Sequence, residues 1–339
     1  MGWTAASLVQ PIFFANTNFN DNFAYTMVEI SLYRKEARQD WDTFVAQSKN
    51  GTFLHLRGYM DYHSDRFDDY SLMAWQNGKI IALLPASRQG SVVSSHAGLT
   101  YGSWLMPLKH FDATVMLQVM DAAIKFLRRN GVHTLIYKAV PHIYHTYPAE
   151  EDLYALFRHN ATVEAAGIST AILLDNPLPF DRGNKSSVNT AVREGVTIGP
   201  SDDMATYWHV LDAVLQSRHN THPVHTIAEL ELLRSRFPAN IKLLAASQGG
   251  TMVAGVLMFY TATVAHCQYI AASPQGRQIK ALPLLFKHLI SDARSQGFKY
   301  FDFGISTENG GTLLNEGLLQ QKSRLGGRGV IYPIFKLEF

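Results

Sequence analysis

A single cysteine, Cys267, occurs among the 339 residues of the chain. An intramolecular disulfide framework is therefore excluded, and the count fits a reducing, cytoplasmic compartment. No uninterrupted run of about 18 apolar residues reads as a membrane-spanning helix. Neither HExxH nor CxxC occurs, and although His219, His222 and His225 recur every third residue, Pro223 breaks any helix that would align them, so no metal is expected. Net charge is scarce too: 30 Lys and Arg stand against 28 Asp and Glu, too even a balance to announce a nucleic-acid binder. With 47% hydrophobic and 17% charged residues the chain is nonetheless globular rather than disordered.

The length favours two domains, each able to bury a core. Residues 1–26 lack the basic start and long apolar stretch of a signal peptide and read as an extension, with Met27 an alternative start. Beyond them the apolar spacing predicts a strand near residues 28–32, a helix carrying Trp41, Phe44 and Val45, and a hairpin turning on Asn77-Gly78. A helix over 114–129 and a strand over 134–137 follow, then a helix over 151–159 and a strand over 170–174. Asp175 to Lys185, with two prolines and a glycine, reads as a linker. After it come helices over 201–215 and from Thr226, a three-stranded meander over 241–270, a helix over 281–296 and an aromatic strand at Tyr300, Phe301 and Phe303.

The halves repeat one another. Gly78 matches Gly250, His96 matches His266, and Gly131 matches Gly297, at offsets of 172, 170 and 166 residues. A duplicated hairpin, strand, helix and strand is the reading. The expected architecture is two α/β domains of the α+β type, each a mostly antiparallel mixed sheet flanked by helices. Their bounds are 27–175 and 186–339, with 176–185 between them.

Positive charge gathers at the end of the chain, where residues 275–339 hold nine Lys and Arg against five Asp and Glu. Within that region Ser273 to Ala281 lies between a strand and a helix start. Unpaired backbone N–H groups and the positive dipole end make Gly276, Arg277, Lys280 and Ala281 candidates for holding a phosphate-bearing group. Further on, the aromatic strand stops at Gly304, a polar loop follows, and Lys322, Arg324 and Arg328 lie beside a second glycine cluster.

The order of strand, basic glycine loop, long helix, aromatic strand with Asp302 and Gly304, polar loop, then Lys322 and Gly326 resembles the C-terminal domain of the Fem family within the GNAT superfamily. That resemblance covers roughly residues 27–339 and implies two tandem GNAT-like domains. Where Fem peptidyltransferases have aromatic-Lys-x-x-aromatic-Gly, this chain has Gln321 and Leu325 at the aromatic positions, and the cofactor loop reads GRQIKA. By resemblance, Lys322 lies near the transferred acyl group or its phosphate-bearing carrier, and Asp302 near the acceptor. Both are the catalytic candidates. Asp302, Glu308 and Glu316 are carboxylates able to take a proton from an amine, while Lys322, Arg324 and glycine-loop amides offer donors to an oxyanion.

Arg218, His219, Tyr269 and Arg324 are the candidate substrate-binding residues. Arg218 and His219 close a helix at the mouth of the acceptor side. Tyr269 is expected on the face of Cys267, as groove lining or as core, and His266 on the opposite face; Cys267 itself reads as buried and structural. The counterpart of the aromatic strand in the first half, residues 134–141, has neither the aspartate nor the glycine-lysine tail, so the reaction centre is expected in the second half alone. The function implied is acyl transfer from a thioester donor, acyl-CoA as co-substrate, to a small-molecule or peptide amine. An aminoacyl-tRNA-dependent peptidyltransferase acting on a cell-wall precursor stands as the alternative; so does a non-catalytic GNAT-like binding module, for which the altered GRQIKA loop speaks. Binding of tRNA is less favoured, because residues 185–195 offer only Lys185 and Arg193 as cations.

Overall fold

A computed structural model describes residues 27–217 and 221–339, together with the backbone of Arg218 and His219. The expected extension over residues 1–26 lies outside the described residues. The first half runs β1 (Glu29–Leu32), α1 (Arg38–Gln47), α2 (Arg57–Met60), β2 (Leu72–Gln76), β3 (Lys79–Leu84), β4 (Ser87–Gln89), β5 (Val92–Ser94), α3 (Ala113–Arg129), β6 (Thr134–Lys138), α4 (Glu151–Arg158) and β7 (Thr162–Leu173). The second runs α5 (Arg182–Arg193), β8 (Thr197–Ser201), α6 (Met204–His219), α7 (Ile227–Arg236), β9 (Ile241–Gln248), β10 (Thr251–Tyr260), β11 (Val264–Ala272), α8 (Pro274–Gln278), α9 (Ala281–Ser295), β12 (Tyr300–Ile305), β13 (Thr307–Glu308), β14 (Leu313–Leu314), α10 (Glu316–Arg324) and β15 (Arg328–Glu338).

Local chemistry explains the boundaries. Asn77 and Gly78, both at positive φ, give the tight turn between β2 and β3. Asp112 caps α3 by accepting from the N–H groups of Thr114 and Val115. Thr226 and Glu229 close a capping box on α7. Asp181 accepts from Asn184 N and starts α5 at Arg182, inside the stretch that reads as a linker. The repeat is evident in the pairing: hairpin β2–β3, then β5, α3 and β6, corresponds to hairpin β9–β10, then β11, α9 and β12. In each case the last two strands run parallel on either side of a helix.

Ten strands join in one sheet, ordered β4-β5-β6-β15-β7-β12-β11-β10-β9-β8, and β1-β2-β3 form a separate one. The closing strand of each half is therefore exchanged. β7 pairs with β12, β15 pairs with β6, and β7 and β15 pair with each other along most of their length. No strand is predicted over residues 328–338, and Pro333 within them cannot donate to a ladder. The proline is tolerated because the β6 ladder stops at Lys138 opposite Ile334, and its carbonyl still accepts from Ala139 N at 3.1 Å.

One face expectation is overturned. Leu257 pairs with Tyr269 and Met258 with Cys267, so Gln268 is an extra residue in β11. Such a bulge reverses the alternation of side chains. Cys267 is buried under α9 with Phe286 and Phe301, whereas Tyr269 lies on the other side against Trp208 and His225.

Because β15 belongs to both halves, they should unfold together. Leu337, 2% exposed in the first-half core, is the sensitive point. Leu337→Ala should lower the unfolding free energy by about 2–5 kcal/mol, with tryptophan fluorescence and far-UV circular dichroism still reporting one coincident urea transition. Two separate transitions would contradict the coupling.

Candidate active site

The site begins where two strands part. β11 and β12 run in parallel register only from Val264–His266 against Tyr300–Asp302. Beyond that, Gly304 takes a left-handed conformation, φ 80°, and the pairing of β12 with β7 shifts register between Asp302 and Ile305. β11 runs on to Ala272, so its far half is paired with β10 alone. The gap opens into a groove of about 340 Å³, lined by Ile270 and Ala272 of β11, Phe303 of β12, Leu282 and Phe286 of α9, and Val214 and Leu215 of α6. α9 packs into one core of the domain and α6 into the other, so the groove passes through the sheet.

At the closed end of the gap lies Asp302, fully buried. Its Oδ2 accepts from His266 Nδ1 at 2.8 Å, Tyr332 Oη at 2.7 Å and Tyr144 Oη at 3.1 Å. Its Oδ1 accepts from Ser169 Oγ and from Gly304 N at 3.2 Å. Burial alone would raise the carboxyl pKa, but the hydrogen bond and positive charge of His266, with the Ser169 and Tyr332 hydroxyls, outweigh it and hold Asp302 below its ordinary value. Burial, reinforced by the neighbouring negative charge, pushes the Tyr144 and Tyr332 hydroxyls well above theirs, so both stay protonated donors. An ionised, fully engaged carboxylate is a poor base. It is well suited to fixing the imidazole: with Nδ1 directed at Asp302, Nε2 is the ring nitrogen left for other partners.

This centre draws on both halves, against the expectation of a centre in the second half alone. Ser169 comes from β7 and Tyr144 from the turn after β6, while Tyr332 arrives on the exchanged β15. No sequence spacing links these residues, because strand exchange brings them together. His266 was read only as the repeat partner of His96, and that match is off by two residues, since the register puts Ser94 at its position; its pairing opposite Asp302 is a property of the parallel register.

The remaining candidates are placed as follows. Lys322 lines the groove, but its Nζ donates to Gly304 O at 2.8 Å, Ile305 O at 2.7 Å and Ser306 Oγ at 3.0 Å. Burial lowers its pKa to about 8, against the opposing charge of Asp302. With all three donors engaged it acts as a clamp on the chain leaving β12. Arg277, exposed at the groove, donates to Ala272 O at 2.8 Å. Gly276 is required by packing, since a Cβ there would lie 2.1 Å from Val253 O. Lys280 adopts φ 62° just before Ala281, the buried first residue of α9, and no side chain caps that helix. Tyr269 accepts or donates at His225 Nδ1, 2.7 Å away. Arg324 lies 3.9 Å from Asp181, outside the groove lining. The side chains of Arg218 and His219 lie outside the described residues; their backbone extends α6 beyond Leu215. Among the described residues no cluster of His, Cys, Asp or Glu could hold a metal ion, and no helix is long and apolar enough to cross a membrane.

Residues 186–309 match the family model of the acetyltransferase (GNAT) domain. No curated protein matches the chain in sequence. Its fold is similar to that of FemX, at a TM-score of 0.65 and 13% identity over 92% of this chain and 97% of that one. It is also similar to L-PGS from Bacillus licheniformis, at 0.60 and 14% over 91% and 93%. A conserved protein of unknown function from Bacteroides thetaiotaomicron VPI-5482 matches at 0.56 and 11% over 92% and 100%. At these identities the likeness is one of fold. Residues 186–309 thus match a GNAT domain, and the chain as a whole has a Fem-like fold. The family model matched over residues 186–309 is described as an acetyltransferase domain.

The depressed pKa of Asp302 has a testable consequence. Folding favours the ionised form, so its contribution is complete above the unfolded value of about 4 and is lost as pH falls through the lower folded value. Asp302→Asn should be least stable relative to the parent at pH 7, by about 3–5 kcal/mol, and the gap in urea midpoints should narrow as the pH falls below about 4. A gap independent of pH would show that Asp302 is not held ionised.

Proposed function

We propose that the protein is an N-acyltransferase that moves an acyl group from a thioester of the acyl-CoA type to a small-molecule or peptide amine, with the groove between β11 and β12 as the donor site. The observation that carries this reading is the parting of the two strands: just past the His266–Asp302 pair they leave an apolar groove whose wall includes Phe303, the residue after Asp302, and Lys322. An apolar passage suits the acyl chain and the slender part of its carrier. At its outer end the uncapped start of α9, with Arg277 and Lys280 beside it, suits a diphosphate.

In this reading the acceptor amine gives a proton to His266 Nε2, and the nitrogen lone pair adds to the thioester carbonyl. Backbone N–H groups along the unpaired edge of β11 are available to the resulting oxyanion. Collapse of the tetrahedral adduct forms the amide C–N bond and breaks the C–S bond; the thiolate leaves and takes up a proton, regenerating neutral His266. Asp302 keeps Nδ1 protonated and stabilises the imidazolium, and Lys322 holds the groove wall.

Calorimetry should detect binding of CoA or an acyl-CoA, weakened about tenfold by Arg277→Ala with Lys280→Ala. His266→Gln should lower kcat by about 10²–10⁴ with little change in CoA affinity. If no CoA or acyl-CoA binds and both cation variants are silent, the reading fails. Binding of charged tRNA with a steep salt dependence, in place of CoA, would instead indicate an aminoacyl donor.

A further inference from the structure

A second cavity, of about 440 Å³, lies toward the C-terminal end of α9, where that helix packs against α5. Its apolar wall is made by Phe180, Val188 and Ile290, and around it stand Lys185, Lys287 and Arg294. No carboxylate lines it. Among the described residues none of these three cationic side chains has a hydrogen bond or ion pair. By contrast, acidic neighbours are already engaged elsewhere: Asp181 caps α5, and Asp292 accepts from Gln296. Three like charges around one apolar opening repel one another, and an anion placed among them relieves that repulsion. The volume falls in the range of small-ligand sites, about 300–1,000 Å³, with the usual combination of apolar walls and a few convergent polar groups.

We propose that this cavity is a second ligand site, separate from the donor groove, which takes a monomeric amphiphilic anion: an apolar body against Phe180, Val188 and Ile290, and one carboxylate head among Lys185, Lys287 and Arg294. The two sites share α9 but not residues. Leu282 and Phe286 face the groove, while Lys287, Ile290 and Arg294 face the cavity. The charge pattern selects against an amine of the same length, whose head would join three cations. It also selects against a neutral alcohol, which leaves the repulsion in place.

The test uses the full chain and dodecanoate below its micellar concentration, followed by calorimetry in the presence of excess CoA. One saturable site is expected. Lys287→Glu and Arg294→Glu, both at exposed positions, should each weaken it at least tenfold while leaving the circular dichroism spectrum and CoA binding unchanged. Dodecylamine and dodecanol should fail to displace the carboxylate. Absence of saturable binding, indifference to both charge reversals, equal competition by dodecylamine, or binding only to anionic phospholipid vesicles would each overturn the proposal. Because CoA is present throughout and the variants lie outside the groove, failure here leaves the donor-site reading untouched, and failure to bind CoA leaves this one untouched.

Discussion

A carboxylate with no exposure to water must have its charge met by hydrogen bonds, or folding would leave an uncompensated ion in the interior. At Asp302 that requirement is met by donors from separate parts of the chain: Ser169 on β7, His266 on β11, Tyr144 after β6 and Tyr332 on β15. Each donor is useful only if its element is in register. The exchanged strands and the polar centre are thus mutually dependent, since β7 must lie beside β12, and β15 beside β7, for the hydroxyls to reach one carboxylate. Tyr144 and Tyr332 also bond each other at 2.8 Å. The network therefore constrains the seam between the halves as well as the histidine.

A second buried charge secures the opposite side of Gly304. Lys322 uses all three of its donors on the backbone and side chain of residues 304–306, where β12 leaves its neighbour. Asp302 holds the strands together at the point of contact, and Lys322 holds them apart immediately beyond it. Gly304, at φ 80°, supplies the turn between these two requirements. The groove exists because both conditions are met within a few residues.

Much of this organisation was legible in the chain and some was not, for identifiable reasons. The repeat anchors Gly78/Gly250 and Gly131/Gly297 survive as turns at positive φ, which is why they were visible as glycines. The candidate groove was traceable because the helix start after Ser273 and the Asp302 strand are local features. The bulge at Gln268 was not: alternation assigns Tyr269 to the face of Cys267, and only the pairing with Leu257 and Met258 shows the slip. Nor was β15, whose Pro333 argues against a central strand until the end of the β6 ladder is known. The donors to Asp302 share no motif, since they meet through tertiary exchange alone.

The same comparison explains why a duplicated fold carries one groove. In the first half the parallel pair β5 and β6 ends with Ser94 opposite Ile136, the positions that His266 and Asp302 occupy in the second. Beyond that point the gap is filled by the chain itself. Gly102 N donates to Lys138 O at 2.8 Å, Lys138 N donates to Ser95 Oγ at 2.7 Å, and Lys138 Nζ reaches back to Ala97 O and Leu99 O. A half-buried lysine, its pKa lowered to about 8 by loss of solvent, here closes the split with a loop, whereas Lys322 keeps its counterpart open. Replacing a carboxylate and histidine by Ile136 and Ser94 removes the ion that would need donors, and a self-filled gap needs no ligand to complete it. The first half is thereby free to supply Tyr144 and Ser169 to the other centre, and the asymmetry between two copies of one unit turns on which atoms each lysine binds.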